Sequence, residues 1–252
     1  MSAVVVHPDP ATLAQATAAR LLLRLLDVQS VRRPVHVGLT GGTVGIRVLG
    51  EIAVSPLRDA VDWTGVHLWW GDERFLPAGD AERNETQARN ALLDGLPIPV
   101  ENVHVVPPSD APGIGSAEDA AAAYAAELGR FAGAGDDDAD DAGPGVPAFT
   151  VLLLGVGPDG HVASLFPGQD TLAVVDRTAV AVHDSPKPPP DRVSLTYPAI
   201  EAADEVWLVV AGGDKADAVA RGLADGPVTE TPARGARGRR GTLWLVDVAA
   251  AG

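Results

Sequence analysis

The sequence contains no cysteine. Disulfides, thiolate catalysis and Cys-ligated zinc are therefore excluded. Lysine is nearly missing too: Lys187 and Lys215 stand against 17 arginines, a bias that reads as nucleotide composition. Aromatic residues are only 4% of the chain, so the core has to be built mainly from Val, Leu and Ala. No apolar run approaches the roughly 18 residues of a membrane span. The opening MSAVVVHPDPATLAQ lacks a basic stretch followed by an apolar one, so no signal peptide is expected and the cytoplasm is the default location. Positive charge is also in deficit. A net charge of −15 argues against nucleic acid, which demands a basic stripe, and against an anionic membrane surface. A small anionic substrate is still compatible, because a few local Arg, Lys and backbone N–H groups can overrule the global field.

What is present is a regular alternation of strand-like and helix-like segments. Hydrophobic residues are 46% of the 252, enough for a sizeable core, and the length suits one large α/β domain or two small ones, of which a single domain over 1–252 is expected. Apolar runs at 4–6, 34–40, 66–71, 149–157, 178–183, 192–196, 205–213 and 242–248 read as strands. Helical spacing marks residues 10–29, the stretch carrying Val44, Val48 and Ile52, 84–96 with Asn84 as its cap, 116–131, and the segment after Gly213. The fully apolar FTVLLLGVG at 149–157 reads as a strand buried on both faces. Interleaved strands and helices imply an α/β fold with a mainly parallel sheet and helices on both faces. Residues 133–145 are acidic and glycine-rich and read as a solvated loop, and the basic ARGARGRRG at 233–241 reads as an exposed flexible loop.

Ligands of such sheets bind at the carboxyl ends of the strands. Three segments put polar residues there. In GLTGGTVG, Gly41 and Gly42 let the backbone approach an anion, the following helix offers free N–H groups, and Thr43 adds a hydroxyl. The same residues also fit an ordinary strand–helix turn capped by Thr43. In WWGDERF, Asp72, Glu73 and Arg74 follow an apolar strand, where charges are costly unless solvated or employed; a plain polar turn is the other reading. In GVGPDGHVAS, Gly155, Gly157 and Gly160 match a dinucleotide fingerprint, but Pro158, Pro167 and Gly168 deny it the crossover helix it needs. That loop instead delivers Asp159 and His161, a carboxylate and an imidazole two residues apart. The carboxylate can orient the ring, and the ring can act as a base. A fourth segment, SPKPPPDRVSLT, holds Lys187 and Arg192 on a proline-stiffened chain, which suits a phosphate or simple exposure.

Taken together, GLTGGT, WWGDERFLP, ERNETQARNALL, LLLGVGPDGHVASLFPG, SPKPPPDRVSLT, AGGDKADAV and LWLVDVAA resemble the 6-phosphogluconolactonases of the glucosamine-6-phosphate isomerase/6-phosphogluconolactonase superfamily. They run in family order over almost the whole chain. The resemblance implies a Rossmann-like sheet with a smaller lobe and hydrolysis of a small phosphorylated sugar lactone. No metal or coenzyme is implied. It places the catalytic residues at His161, Asp159 and Arg74, and substrate or phosphate binding at Gly41, Gly42, Thr43, Asp72, Lys187 and Arg192. A monomer or weak oligomer is expected. Two stretches depart from the family pattern: the acidic residues 136–141 look like an insertion, and 233–241 is more basic.

The implied chemistry is general-base activation of a water that attacks the lactone carbonyl, with no covalent nucleophile. A deaminase of the same superfamily is the first alternative. Those enzymes resemble the chain but carry a Glu five residues after the histidine, where Phe166 stands here. A sugar-phosphate sensor that kept the pocket is the second, and the acidic charge opposes the DNA-binding segment such regulators carry.

Overall fold

The computed structural model describes residues 2–133 and 145–252, and the acidic stretch 136–141 lies outside them. Nine strands and seven α-helices follow one another among the described residues. The chain opens with β1 (Ser2–His7), α1 (Pro10–Gln29), β2 (Val35–Leu39), α2 (Gly42–Val54), β3 (Val66–Trp70) and β4 (Asp72–Arg74). It continues with α3 (Asn84–Ala91), α4 (Ala117–Arg130), β5 (Phe149–Leu154), β6 (Ala179–Val182) and β7 (Arg192–Leu195). It closes with α5 (Tyr197–Glu201), β8 (Glu205–Val210), α6 (Ala216–Leu223), β9 (Gly241–Asp247) and α7 (Val248–Ala251).

Six strands form one parallel sheet in the order β1-β9-β8-β5-β2-β3. Alternate residues of its strands feed two cores. Val37, Leu39, Val151 and Leu153 meet Leu22 of α1 and Val48 of α2 on one face. Leu152 and Leu154 meet Tyr124, Ile200 and Val219 of α4, α5 and α6 on the other. Each such side chain contributes about 1.5–3 kcal/mol by leaving water, so the apolar runs read from the sequence are what holds the layers together. Among the described residues no helix is long and apolar enough to cross a membrane.

Two sequence expectations need correction. The segments at 178–183 and 192–196 do not join the parallel sheet. They pair antiparallel with β4 in a separate three-stranded sheet, β4-β7-β6. That sheet is the smaller lobe, and Asp72–Arg74 is its edge strand rather than a polar turn. The basic stretch 233–241 is not an exposed flexible loop either. Ala233 and Ala236 are buried, and Arg239 and Arg240, together with Arg32, converge on the buried carboxylate of Asp204. A buried carboxylate has to be paired, which is why this segment is tied down.

The chain order of the large sheet reverses between β2 and β5: from β2 the chain moves to β3, and from β5 to β8. Loops leaving the two strands therefore diverge and leave a crevice at their carboxyl ends, the usual ligand position in doubly wound sheets.

Candidate active site

The crevice is a cavity of about 580 Å³. Its walls carry residues from all four segments read from the sequence: Gly41, Gly42 and Thr43 after β2, Asp72 and Arg74 of β4, His161 after β5, and Lys187 and Arg192 before and in β7. Asp159 stands behind His161 in contact with it.

The loop after β5 is built around that pair. Asp159 Oδ1 lies 2.5 Å from His161 Nδ1 and also takes the His161 backbone N–H at 3.3 Å. Burial by itself would raise the Asp159 carboxyl. The hydrogen bond and charge of His161, with the backbone N–H groups, outweigh it and hold the group at about 2. An ionised carboxylate only accepts, so Nδ1 carries the proton and Nε2 keeps its lone pair. The glycines make room for this arrangement. A Cβ on Gly157 would sit 2.1 Å from the His161 ring. Gly160 takes φ +91, a left-handed turn that brings the chain back, and the Gly157 N–H donates to the His161 carbonyl. Phe166, fully buried, packs its ring 4.6 Å from the His161 ring.

The loop after β2 has no side-chain cap. Gly41 occupies the cap position of α2, Gly42 has φ +77, and Thr43 falls inside the first turn rather than capping it. The first-turn N–H groups of α2 are thus left to the cavity, with the positive end of the helix dipole behind them.

In β4, alternation separates three charges. Asp72 and Arg74 face the cavity, and Glu73 points the other way into the protein. Asp72 accepts from Ser164 Oγ at 2.7 Å and lies 4.0 Å from Arg192 Nη1. Glu73 is buried and accepts the N–H groups of Arg74, Asn84 and Glu85. Burial pushes its carboxyl up, against the pull of Arg83 and those N–H groups. Glu73 is therefore the cap of α3. Asn84 is not: Arg83 holds the cap position, and Asn84 is the first helical residue.

Arg192 is nearly enclosed. Its Nε donates to the Pro189 carbonyl and its Nη2 to those of Lys187 and Pro188, which fixes the proline-rich loop. Burial pulls its guanidinium below the ordinary arginine range, partly offset by Asp72. Nη1 is the nitrogen left for a ligand. Arg192 also lies directly opposite Arg74 across the β4–β7 pair, an arrangement of like charges that an anion between them would relieve.

Four further cavity residues escaped the sequence reading. Lys215 and Asp214 sit in the turn after β8, ion-paired at 2.5 Å. The apolar run before them marked that turn as another strand end on the same edge. Arg47 lies one turn along α2, at the spacing that puts it beside Thr43. Asn84 was read only as a cap. The lining thus offers five basic side chains, Arg47, Arg74, Lys187, Arg192 and Lys215, against the carboxylates of Asp72 and Asp214. In a chain of net charge −15 this is a local inversion of sign, suited to an anionic ligand. Among the described residues no group of three or more His, Cys, Asp or Glu is placed to hold a metal ion.

Comparison with known proteins points the same way. A protein from Streptomyces coelicolor named 6-phosphogluconolactonase is 54% identical over 248 residues, covering 98% of this chain and 93% of its own. One of the same name from Mycobacterium leprae is 42% identical over 250 residues, covering 99% and 97%. The structure of 6-phosphogluconolactonase from Trypanosoma cruzi superposes with a TM-score of 0.84 at 26% identity, covering 100% of this chain and 96% of that one. The family described as glucosamine-6-phosphate isomerases/6-phosphogluconolactonase matches residues 8–245, a span that holds every residue of the cavity and all of the smaller sheet. With that span and these relatives, the chain belongs to the glucosamine-6-phosphate isomerase/6-phosphogluconolactonase family.

Proposed function

We propose that this protein is a carboxylic ester hydrolase that opens 6-phospho-D-glucono-1,5-lactone to 6-phospho-D-gluconate, the second step of the oxidative pentose phosphate pathway. The observation that carries the reading is the His161–Asp159 pair at a cavity with five cations. The pair supplies a base with a fixed tautomer, and the cations supply a place for a phosphorylated substrate. The curated relatives of the same name support it at 54% and 42% identity over nearly the whole chain.

In this reading His161 Nε2 takes a proton from a water as its oxygen attacks C1. The carbonyl oxygen becomes an oxyanion, held by Arg74 and nearby backbone N–H groups. The bond from C1 to the ring oxygen then breaks. The imidazolium returns its proton to that oxygen, giving a hydroxyl and a carboxylic acid that ionises. Asp159 stabilises the imidazolium between the two transfers. The α2 N-terminus with Gly41, Gly42 and Thr43, and the cations Lys187, Arg192 and Lys215, bind the phosphate and orient the ring. Asp72 orders the site from between Ser164 and Arg192. Residues 1–252 act as one unit, monomeric or weakly associating, in the cytoplasm.

Phe166 opposes the deaminase reading. Its apolar ring packs on His161 and cannot assist the opening of an amino-sugar ring. Attack of water on C1 breaks the lactone ring without prior opening. The test is a coupled assay on freshly made 6-phosphogluconolactone, corrected for spontaneous hydrolysis, beside an ammonia assay on glucosamine 6-phosphate. Accelerated lactone opening without ammonia is expected. Ammonia release at a comparable rate would overturn the reading, and absence of both activities would favour a sensor.

A further inference from the structure

The Arg74 guanidinium is held in an unusual way. It projects from an edge strand, directly opposite Arg192, in a cavity already rich in cations. Repulsion alone would swing so long a side chain away into water. Two acceptors prevent this, and both bind the same nitrogen: Nη1 donates to the Glu82 carbonyl at 3.1 Å and to Asn84 Oδ1. Nε is buried and has no partner among the described residues. A buried N–H without a partner costs about 1–3 kcal/mol, so the bonds to Nη1 hold the guanidinium in place against that cost.

Asn84 is itself fixed on every side. Its backbone N–H donates to Glu73 Oε1 at 2.6 Å. Its Nδ2 donates to the Asp72 carbonyl at 2.8 Å. With Nδ2 committed there, Oδ1 is the atom that meets Arg74; the flipped amide would set its NH₂ against a guanidinium. On the other flank the amide lies against the anion loop, where a Cβ on Gly41 would come 1.8 Å from Asn84 Oδ1. One buried amide thus joins the backbone of Asp72, the guanidinium of Arg74 and the glycine turn after β2.

From this we infer that Asn84 is a positioning residue: by holding Nη1 it sets the plane of the Arg74 guanidinium so that the uncommitted Nη2 meets the oxyanion. Asn84 touches no reacting atom and acts only through Arg74. The inference rests on the lactonase reading and on the oxyanion role given there to Arg74. It accounts for Gly41 as well, since any side chain at that position would displace the amide.

The test is a double-mutant cycle between Asn84 and Arg74, with kcat and KM measured separately on 6-phosphogluconolactone. Asn84→Ala should lower kcat by about 10- to 100-fold, the loss typical of a misplaced transition-state donor, with KM within about 3-fold of wild type. On an Arg74→Ala background the same substitution should cost less than about 2-fold, because the group it positions is gone. Asn84→Ser, small and polar but too short to reach Arg74, runs the same cycle should the alanine variant fail to fold. Its lost bond to Arg74 should again matter only while Arg74 is present. Equal losses on the two backgrounds, or a change in KM with kcat intact, would overturn the positioning role and leave the lactonase reading standing. A wild-type protein without lactonase activity would overturn both.

Discussion

Of the histidine–carboxylate pairs among the described residues, the two that border hollows lie at opposite ends of chemical usefulness. His161 meets Asp159 at 2.5 Å, and His104 meets Glu127 at 2.8 Å. Each borders a hollow, of about 580 Å³ for the first and about 440 Å³ for the second. The difference lies in what the second ring nitrogen sees. His161 leaves Nε2 to a cavity with five cations. His104 gives its Nε2 to His67 Nδ1 at 2.9 Å, and Arg130, the cation nearby, is already paired with Glu127. Beyond His67 stands His36, fully buried, taking the Trp69 indole N–H. Burial, with help from the neighbouring rings, holds His36 down at about 3 and His67 at about 4. The second set is an apolar-packed edge of the sheet built from neutral imidazoles. A histidine beside a carboxylate is thus not enough to mark a base: the free nitrogen also needs a ligand to act on.

Identical chemistry applied to both pairs should break this symmetry most clearly. Asp159→Asn removes the charge that fixes the tautomer and should lower kcat by roughly 10²–10⁴-fold. Glu127→Gln should leave turnover within about 2-fold. Comparable losses in the two variants, followed in the lactone assay, would erase the distinction.

A smaller effect is expected on binding. Arg192→Ala should weaken 6-phosphogluconate about 10- to 100-fold by titration calorimetry, the range of a lost charge-assisted bond. His104→Ala should leave that affinity unchanged. Unchanged affinity in Arg192→Ala would move the phosphate elsewhere along the cavity.

The smallest effect concerns acid. For His36 and His67 the folded values lie below the ordinary 6.5, so the unfolded chain binds the extra protons. The stability these neutral rings carry is fully present above pH 6.5 and drains away as pH falls toward about 4 and then 3. Asp159 adds a separate loss lower down, between its ordinary 3.8 and about 2. Urea midpoints at pH 7 and pH 5 should fall less steeply in His67→Phe than in wild type. Parallel slopes would show that the ring titrates as freely folded as unfolded.

The sequence made much of this legible, and the failures have physical causes. Long apolar runs announced β5 and β8, and the spacing of Asp159 and His161 announced the pair, because both depend on neighbours in the chain. Asp72–Arg74 was misplaced since a three-residue strand has too little length to show a period, and its partner Arg192 lies far away in sequence. Asn84 obeyed the capping rule in type and position. The rule lost because Glu73, from another element, reached the same N–H groups first. The basic stretch 233–241 reads as a loose exposed loop, and it is the distant, buried Asp204 that ties two of its arginines down. Lys215 was visible as a rare residue after a strand, yet nothing local said that this strand lies beside β5.

The central claim is that one imidazole, His161, activates the water. Its most direct test is kcat of His161→Ala on freshly made 6-phosphogluconolactone, with circular dichroism confirming the fold. The account predicts a loss of about 10²–10⁴-fold, toward the spontaneous rate. Near-normal turnover in the folded variant would contradict it.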